Sequence, residues 1–167
     1  MIDNPVHDQT MAKIFRDSRD LAVRLEPLRV GKQIVLVKGA YDLFHVGHYY
    51  SFANARGFGD LLVVAVQGDT GVKAQKGAER PILPLDDRLV LIAALECVDF
   101  VTVYDAPSPF EVLSLLRPDV FAASHFKSLT EEQRRYLERV THFQFVPKLG
   151  GTSTTVIIQK IKGLKNA

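Results

Sequence analysis

From Gly31 onward, short apolar runs alternate with segments whose apolar residues recur at helical spacing. Gln33–Val37, Leu61–Val66, Phe100–Val103, Val120–Ala122 and Phe143–Val146 are apolar on both faces and read as strands of a parallel sheet covered on each side. Between and after them, Tyr49–Arg56, Leu85–Leu95, Pro109–Leu116, Glu131–Val140 and Thr154–Ile161 read as helices. This order predicts a single α/β domain with a Rossmann-like, doubly wound parallel sheet, whose ligands bind at the carboxyl ends of the strands. No internal repeat or low-complexity segment interrupts it.

Residues 1–29 stand apart from that alternation. Met11, Ile14, Phe15, Leu21, Ala22 and Leu25 keep a loose helical period after a possible cap at Asp8-Gln9-Thr10, and Glu26-Pro27 ends it. The expectation is an added N-terminal helix, packed on the domain or at a subunit contact, preceding a main domain at 30–167.

Length and composition narrow the class. At 167 residues the chain fits one domain with a substantial core, and 47% hydrophobic with 24% charged residues is ordinary for a globular protein. The net charge of +2, without a basic run to track a phosphate backbone, gives no support to a nucleic-acid partner. A single cysteine, Cys97, excludes an internal disulfide and reads as a small core residue. Neither a signal peptide nor a membrane-length apolar stretch is visible, so the expected location is the cytoplasm.

The chemistry concentrates in Gly39-Ala40-Tyr41-Asp42-Leu43-Phe44-His45-Val46-Gly47-His48, between the first long strand and the helix that follows it. Two imidazoles around a glycine at a strand-to-helix crossing, with free backbone N–H groups and the positive end of a helix, suit a phosphoryl group. Gly47 lets a phosphate approach the backbone. Asp42, His45 and His48 also have spacings that a metal site could use, but the glycine and the strand–helix context favour phosphate.

Two further segments carry candidates. Gly68–Pro84 reads as one long connection holding glycines with Lys73, Lys76 and Arg80, a composition suited to a mobile cover over an anion. Lys148-Leu149-Gly150-Gly151-Thr152-Ser153-Thr154-Thr155 places two glycines and a hydroxyl run before a helix, a ready phosphate cradle with Ser153 or Thr154 as the cap.

The segment Gly39 to His48 resembles the Gly-x-[Phe/Tyr]-Asp-x-x-His-x-Gly-His motif of the cytidylyltransferase-like nucleotidyltransferases, and the similarity runs from about Lys32 to about Lys162. The resemblance implies transfer of a nucleoside monophosphate from a triphosphate to a phosphorylated acceptor. It makes His45, His48 and Lys73 the catalytic candidates, with Gly39, Ala40, Tyr41, Asp42, Gly47, Lys76, Arg88, Ser153, Thr154 and Thr155 binding nucleotide or phosphate. Arg88 resembles the arginine of the family's Glu-x-Arg segment, a planar fork suited to phosphate oxygens. Mg²⁺ is expected with the triphosphate and a homodimer is implied.

The central block from Gly77 to Asp99 is most similar to heptose-1-phosphate adenylyltransferases, which favours ATP and a sugar phosphate. The Ser153–Thr155 run is as similar to glycerol-3-phosphate cytidylyltransferases, which keeps CTP and a polyol or amino-alcohol phosphate open; there Lys148 stands where those enzymes carry arginine. One segment departs from the family: Phe121-Ala122-Ala123-Ser124-His125-Phe126-Lys127 lacks the glycine pair and acid that help enclose the nucleotide. That departure motivates a second reading, a nucleotide-binding protein without turnover.

Overall fold

The computed structural model describes residues 4–124, 129–147, 149–151 and 153–164. Six parallel strands form one sheet in the order β1-β4-β3-β2-β5-β6. They are β1 (Ile14–Phe15), β2 (Ile34–Gly39), β3 (Leu61–Gln67), β4 (Phe100–Tyr104), β5 (Val120–Ala123) and β6 (His142–Phe145). The helices are α1 (Pro5–Met11), α2 (Ser18–Leu25), α3 (Val46–Arg56), α4 (Asp69–Lys76), α5 (Leu85–Ala93), α6 (Phe110–Leu116), α7 (Glu131–Leu137) and α8 (Thr154–Leu164).

The period of two along each strand explains why helices cover both faces. On β2, Val35 and Val37 enter a core with Phe52 of α3 and with Leu89 and Ile92 of α5. Ile34 and Leu36 enter the opposite core with Leu21 of α2 and with Leu113 and Leu116 of α6. Every residue of β3 is buried, as a central strand covered twice must be.

Acids tie down the amino ends of the strands: Ile34 N–H donates to Asp119 at 2.7 Å and Leu62 N–H donates to Asp99 at 2.8 Å. The carboxyl ends carry the loops. Because β3 and β4 lie on one side of β2 and β5 and β6 on the other, the strand order reverses at β2/β5, where open sheets of this kind bind ligands.

Two expectations need correction. The N-terminal segment is not one added helix: Ile14 and Phe15 pair in parallel with Val101 and Thr102 as an edge strand, between two short helices. Asn4 caps the first and Asp17 the second, rather than Asp8-Gln9-Thr10. A β-branched residue next to an aromatic suits a strand, and the Lys13 ammonium fastens this segment by donating to the carbonyls of Leu95 and Val98. Leu21 and Leu25 are fully buried in the chain's own core, so they leave no apolar surface for a partner.

The second correction concerns Gly68–Pro84. Its first half is helix α4, whose start is pinned where Gly71 N–H donates to Asp105 at 2.7 Å and whose Val72 is buried. Gly68 and Gly71 both lie so close to Asp105 that an added Cβ would meet its atoms at 2.7 Å. Only the connection after Gly77 fits the description of a loop.

Candidate active site

A cavity of about 420 Å³ lies over the carboxyl ends of β2, β3, β4 and β5, and the turn from β2 into α3 forms one wall. That turn is sharply folded. Tyr41 and Leu43 both take left-handed backbone conformations, at φ 51° and 48°, where bulky residues are rare. Gly39 makes this geometry possible, because a Cβ there would sit 2.9 Å from the Tyr41 ring.

Asp42 holds the turn from beneath. Its side chain accepts from the Arg80 guanidinium at 2.6 Å and from the backbone N–H groups of Ile82 (2.9 Å) and Leu83 (2.9 Å). Burial alone would raise its pKa; the Leu83 and Ile82 N–H groups and Arg80 together outweigh that and lower it from the ordinary carboxylate value. Asp42 thus joins the β2–α3 turn to the segment before α5, and its carboxylate is not presented to a phosphate. The Arg80 Nε–H is likewise committed to this clamp, while its buried Nη2 has no hydrogen-bond partner among the described residues.

His45 caps α3, its Nδ1 accepting from Gly47 N–H at 3.1 Å. In the neutral ring the proton therefore sits on Nε2. The His48 ring stacks on it, with centroids 3.9 Å apart and planes 21° from parallel. Tyr41 and Phe44 complete an aromatic surround at 5.4 and 5.5 Å from His48. Burial, then the neighbouring His45 and Lys76, drive the His48 pKa down to about 3 against a weaker opposing pull from Asp42. Burial also lowers that of His45. The His48 Nδ1 is buried and has no hydrogen-bond partner among the described residues. The free site accordingly holds two neutral imidazoles at the positive end of a helix.

Gly39, Ala40, Tyr41, Asp42, His45, Gly47 and His48 line the cavity together with Lys76, Ser153, Thr154 and Thr155, so the structure brings most of the candidate residues to one place. Ser153 Oγ accepts from Val156 N–H at 3.2 Å, the expected cap of α8. Thr154 instead donates its hydroxyl to the Asp42 carbonyl at 2.8 Å, locking the start of α8 against the histidine turn.

Two candidates fall elsewhere. Lys73 is exposed on α4, one turn before Lys76, and does not line the cavity. Arg88 is only 1% exposed; its guanidinium donates to the carbonyls of Ala40, Gln67 (2.7 Å) and Leu83 (3.2 Å) and to Asp69 (2.7 Å). Its fork is occupied in joining the ends of β2 and β3 to α4, so it shapes the site from inside and does not reach out for phosphate. Lys148, Thr152 and His125 to Lys127 lie outside the described residues.

Lys38, Gln67 and Tyr104 line the cavity and were not among the sequence candidates. Each is a polar residue at the carboxyl end of a mostly apolar strand, which is the signal that marks them.

No group of three or more metal-binding side chains occurs among the described residues. Asp42, the one acid among the described residues of the cavity wall, is engaged by three donors, Arg80 and the N–H groups of Ile82 and Leu83, which argues against the metal reading of the Asp42-His45-His48 spacing. The described residues therefore do not form a cage for Mg²⁺, and an ion brought by a triphosphate would depend on phosphate oxygens and water for its ligands.

The reversed strand order and the histidine-capped helix above it define the class: a Rossmann-like α/β domain with a cavity at its switch point. The chain belongs to the cytidylyltransferase-like family, whose model matches residues 36–160. Among curated relatives, the bifunctional protein HldE of Geotalea uraniireducens (strain Rf4) is 38% identical over 161 residues, covering 93% of this chain and 32% of the relative. HldE of Sulfurimonas denitrificans (strain ATCC 33889 / DSM 1251) is 37% identical over 134 residues, 80% of this chain and 28% of the relative. The chain thus spans about a third or less of the length of these relatives.

Solved structures share the fold. A lipopolysaccharide core biosynthesis protein from Thermoplasma volcanium GSS1 superposes with a TM-score of 0.61 at 24% identity, over 71% of this chain and 99% of that one. A pantoate-beta-alanine ligase from Francisella tularensis, complexed with beta-gamma ATP and beta-alanine, superposes with a TM-score of 0.59 at 13% identity, over 89% and 76% of the two chains. No helix among the described residues is long and apolar enough to cross a membrane.

Proposed function

We propose that this chain is a nucleotidyltransferase that moves AMP from ATP to the phosphate of a phosphorylated sugar such as heptose 1-phosphate, releasing pyrophosphate. The stacked His45–His48 pair at the start of α3 carries the reading. The HldE relatives and the resemblance of the Gly77–Asp99 block to heptose-1-phosphate adenylyltransferases support the choice of ATP and sugar phosphate.

An acceptor phosphate oxygen attacks the α-phosphorus in line, the bond from that phosphorus to the bridging oxygen breaks, and pyrophosphate departs with the electron pair. No covalent enzyme intermediate is needed, so positioning and charge stabilisation supply the rate. Nε2–H of His45 and the His48 ring face charge that grows on the α-phosphoryl oxygens. Both imidazoles are neutral in the free site, so they bind without repelling Lys76, and a bound polyanion raises their pKa toward protonation. Ser153, Thr155 and the start of α8 hold the triphosphate, with Lys76 at the other side of the cavity. Mg²⁺ accompanying the triphosphate supplies charge neutralisation.

A homodimer acting in the cytoplasm is part of the proposal, to be checked by sedimentation across micromolar concentrations. Leu21 adds nothing to its contact surface, because the chain's own core absorbs it. The Ser153–Thr155 run favours a second reading, transfer of CMP from CTP to glycerol 3-phosphate or a related phosphate. Pyrophosphate release from ATP and CTP against a panel of sugar and polyol phosphates separates the two. Binding of nucleotide without release under any acceptor leaves a nucleotide-binding protein.

A further inference from the structure

The three polar residues that close the central strands lie on one face of the sheet. Lys38 follows Leu36 at a spacing of two on β2, Gln67 follows Ala65 on β3, and Tyr104 follows Thr102 on β4. Leu36, Ala65 and Tyr104 share the core packed by α2 and α6, whereas α3, which carries the histidines, packs on the other face. The cavity therefore straddles the carboxyl edge of the sheet, with the imidazoles on one bank and this trio on the other.

The trio is built as a donor set. The Gln67 side-chain nitrogen is buried without a hydrogen-bond partner, in a residue 2% exposed. Neither the Lys38 ammonium nor the Tyr104 hydroxyl hydrogen-bonds a described residue, and Lys38 has no ion pair among them. Lys38 lies beside its register partner Ala65, with Ala123 also in the cavity wall, so small neighbours leave room above its stem. No carboxylate among the described residues answers this charge: Asp42 is clamped, Asp69 pairs with Arg88, and Asp105 accepts from Gly71.

Resting on the nucleotidyl-transfer reading, we infer that Lys38, Gln67 and Tyr104 form the subsite for the acceptor's phosphate, with Lys38 as the residue that restricts acceptors to anions. A neutral polyol would leave a half-buried ammonium and a buried amide unpaired, an arrangement that costs more than it returns. A phosphate monoester satisfies all three donors and keeps an oxygen for attack across the sheet edge. Burial, reinforced by Lys76, lowers the Lys38 pKa, the state expected of a lysine awaiting an anion.

The test uses the full chain and two variants, Lys38→Met and Tyr104→Phe. Calorimetry first measures a nonhydrolysable ATP analogue, then inorganic phosphate with the analogue saturating its site. Lys38→Met is expected to weaken phosphate roughly tenfold or more and Tyr104→Phe by a few-fold, while analogue affinity moves by less than about twofold. Removing a half-buried charge should not lower the melting temperature of Lys38→Met, which confirms that the variant is folded. Phosphate binding unchanged in Lys38→Met, absent from the wild type, or lost in parallel with analogue binding overturns the subsite. Pyrophosphate release by the wild type reports separately on the reaction: if it is absent while phosphate binding still depends on Lys38, the reaction reading fails and the anion subsite stands.

Discussion

Thr154 of α8 donates its hydroxyl to the backbone carbonyl of Asp42 at 2.8 Å, across 112 residues of sequence. This one bond joins two walls of the cavity, the histidine turn after β2 and the hydroxyl run before α8. It gives Thr154 a positioning role, distinct from that of Ser153, which caps its own helix. Thr154→Val should therefore raise KM for the triphosphate and lower kcat together by a few-fold to roughly tenfold, with a stability loss of about 1 kcal/mol. Thr154→Ser keeps the hydroxyl and should restore most of the loss. Steady-state kinetics with thermal melts of both variants checks the pair.

His48→Ala should lower the transfer rate by about 10²–10³-fold, the range for removing a donor aimed at transition-state charge. The fold should survive, because the ring contributes a desolvated, unpartnered nitrogen to the interior. His45→Ala should also lose rate, and in addition some stability, since its Nδ1 caps α3 and loss of a cap costs about 1 kcal/mol. Near-normal turnover in His48→Ala would remove it from the chemistry.

The same histidine should govern the acid side of the stability profile. An imidazole with a folded pKa of about 3 instead of 6.5 stays neutral in the native state while the unfolded chain takes up a proton. Its contribution is therefore intact above pH 6.5 and is lost progressively as pH falls toward 3. His45, shifted in the same direction, adds to that slope. Asp42, whose pKa is lowered from 3.8, acts only further down. Denaturant melts between pH 7 and 4.5 should show His48→Gln with a flatter decline than wild type; parallel curves would contradict the burial of a neutral ring.

Arg88 and Lys76 should separate structure from binding. Arg88→Met leaves the carbonyls of Ala40 and Gln67 without their donor and Asp69 without its partner, and should destabilise the domain by about 3 kcal/mol or more. Lys76→Ala should cost less stability than Arg88→Met, because Lys76 is exposed where Arg88 is buried, while raising KM for a phosphorylated substrate. A stable Arg88→Met with impaired triphosphate binding would return the arginine to the phosphate-binding set.

The alternation of apolar runs made the five main strands and, α4 apart, the helices between them legible, because a twice-covered strand such as Leu61–Gln67 has no polar face to confuse it. The histidine turn and the hydroxyl run stood out as neighbours of one cavity because each sets glycine and polar residues at the start of a helix beside the sheet. Residues whose partners lie far away in sequence were not. An arginine reads as a phosphate ligand until three backbone carbonyls are seen around it, and the acid of the motif reads as a ligand until Arg80, Ile82 and Leu83 are seen to occupy it. Ile14-Phe15 looked helical because a two-residue strand has too little length to display a period of its own.

The central claim is that the paired imidazoles serve transfer of a nucleoside monophosphate to a phosphate. Phosphorus NMR of the full chain with ATP, Mg²⁺ and a panel of sugar 1-phosphates including heptose 1-phosphate tests it most directly. The account predicts that pyrophosphate and a new phosphate–phosphate linkage bearing AMP appear in equal amounts, and that both vanish in His48→Ala while nucleotide still binds. Nucleotide binding with no pyrophosphate from either ATP or CTP, under any sugar or polyol phosphate, would contradict it.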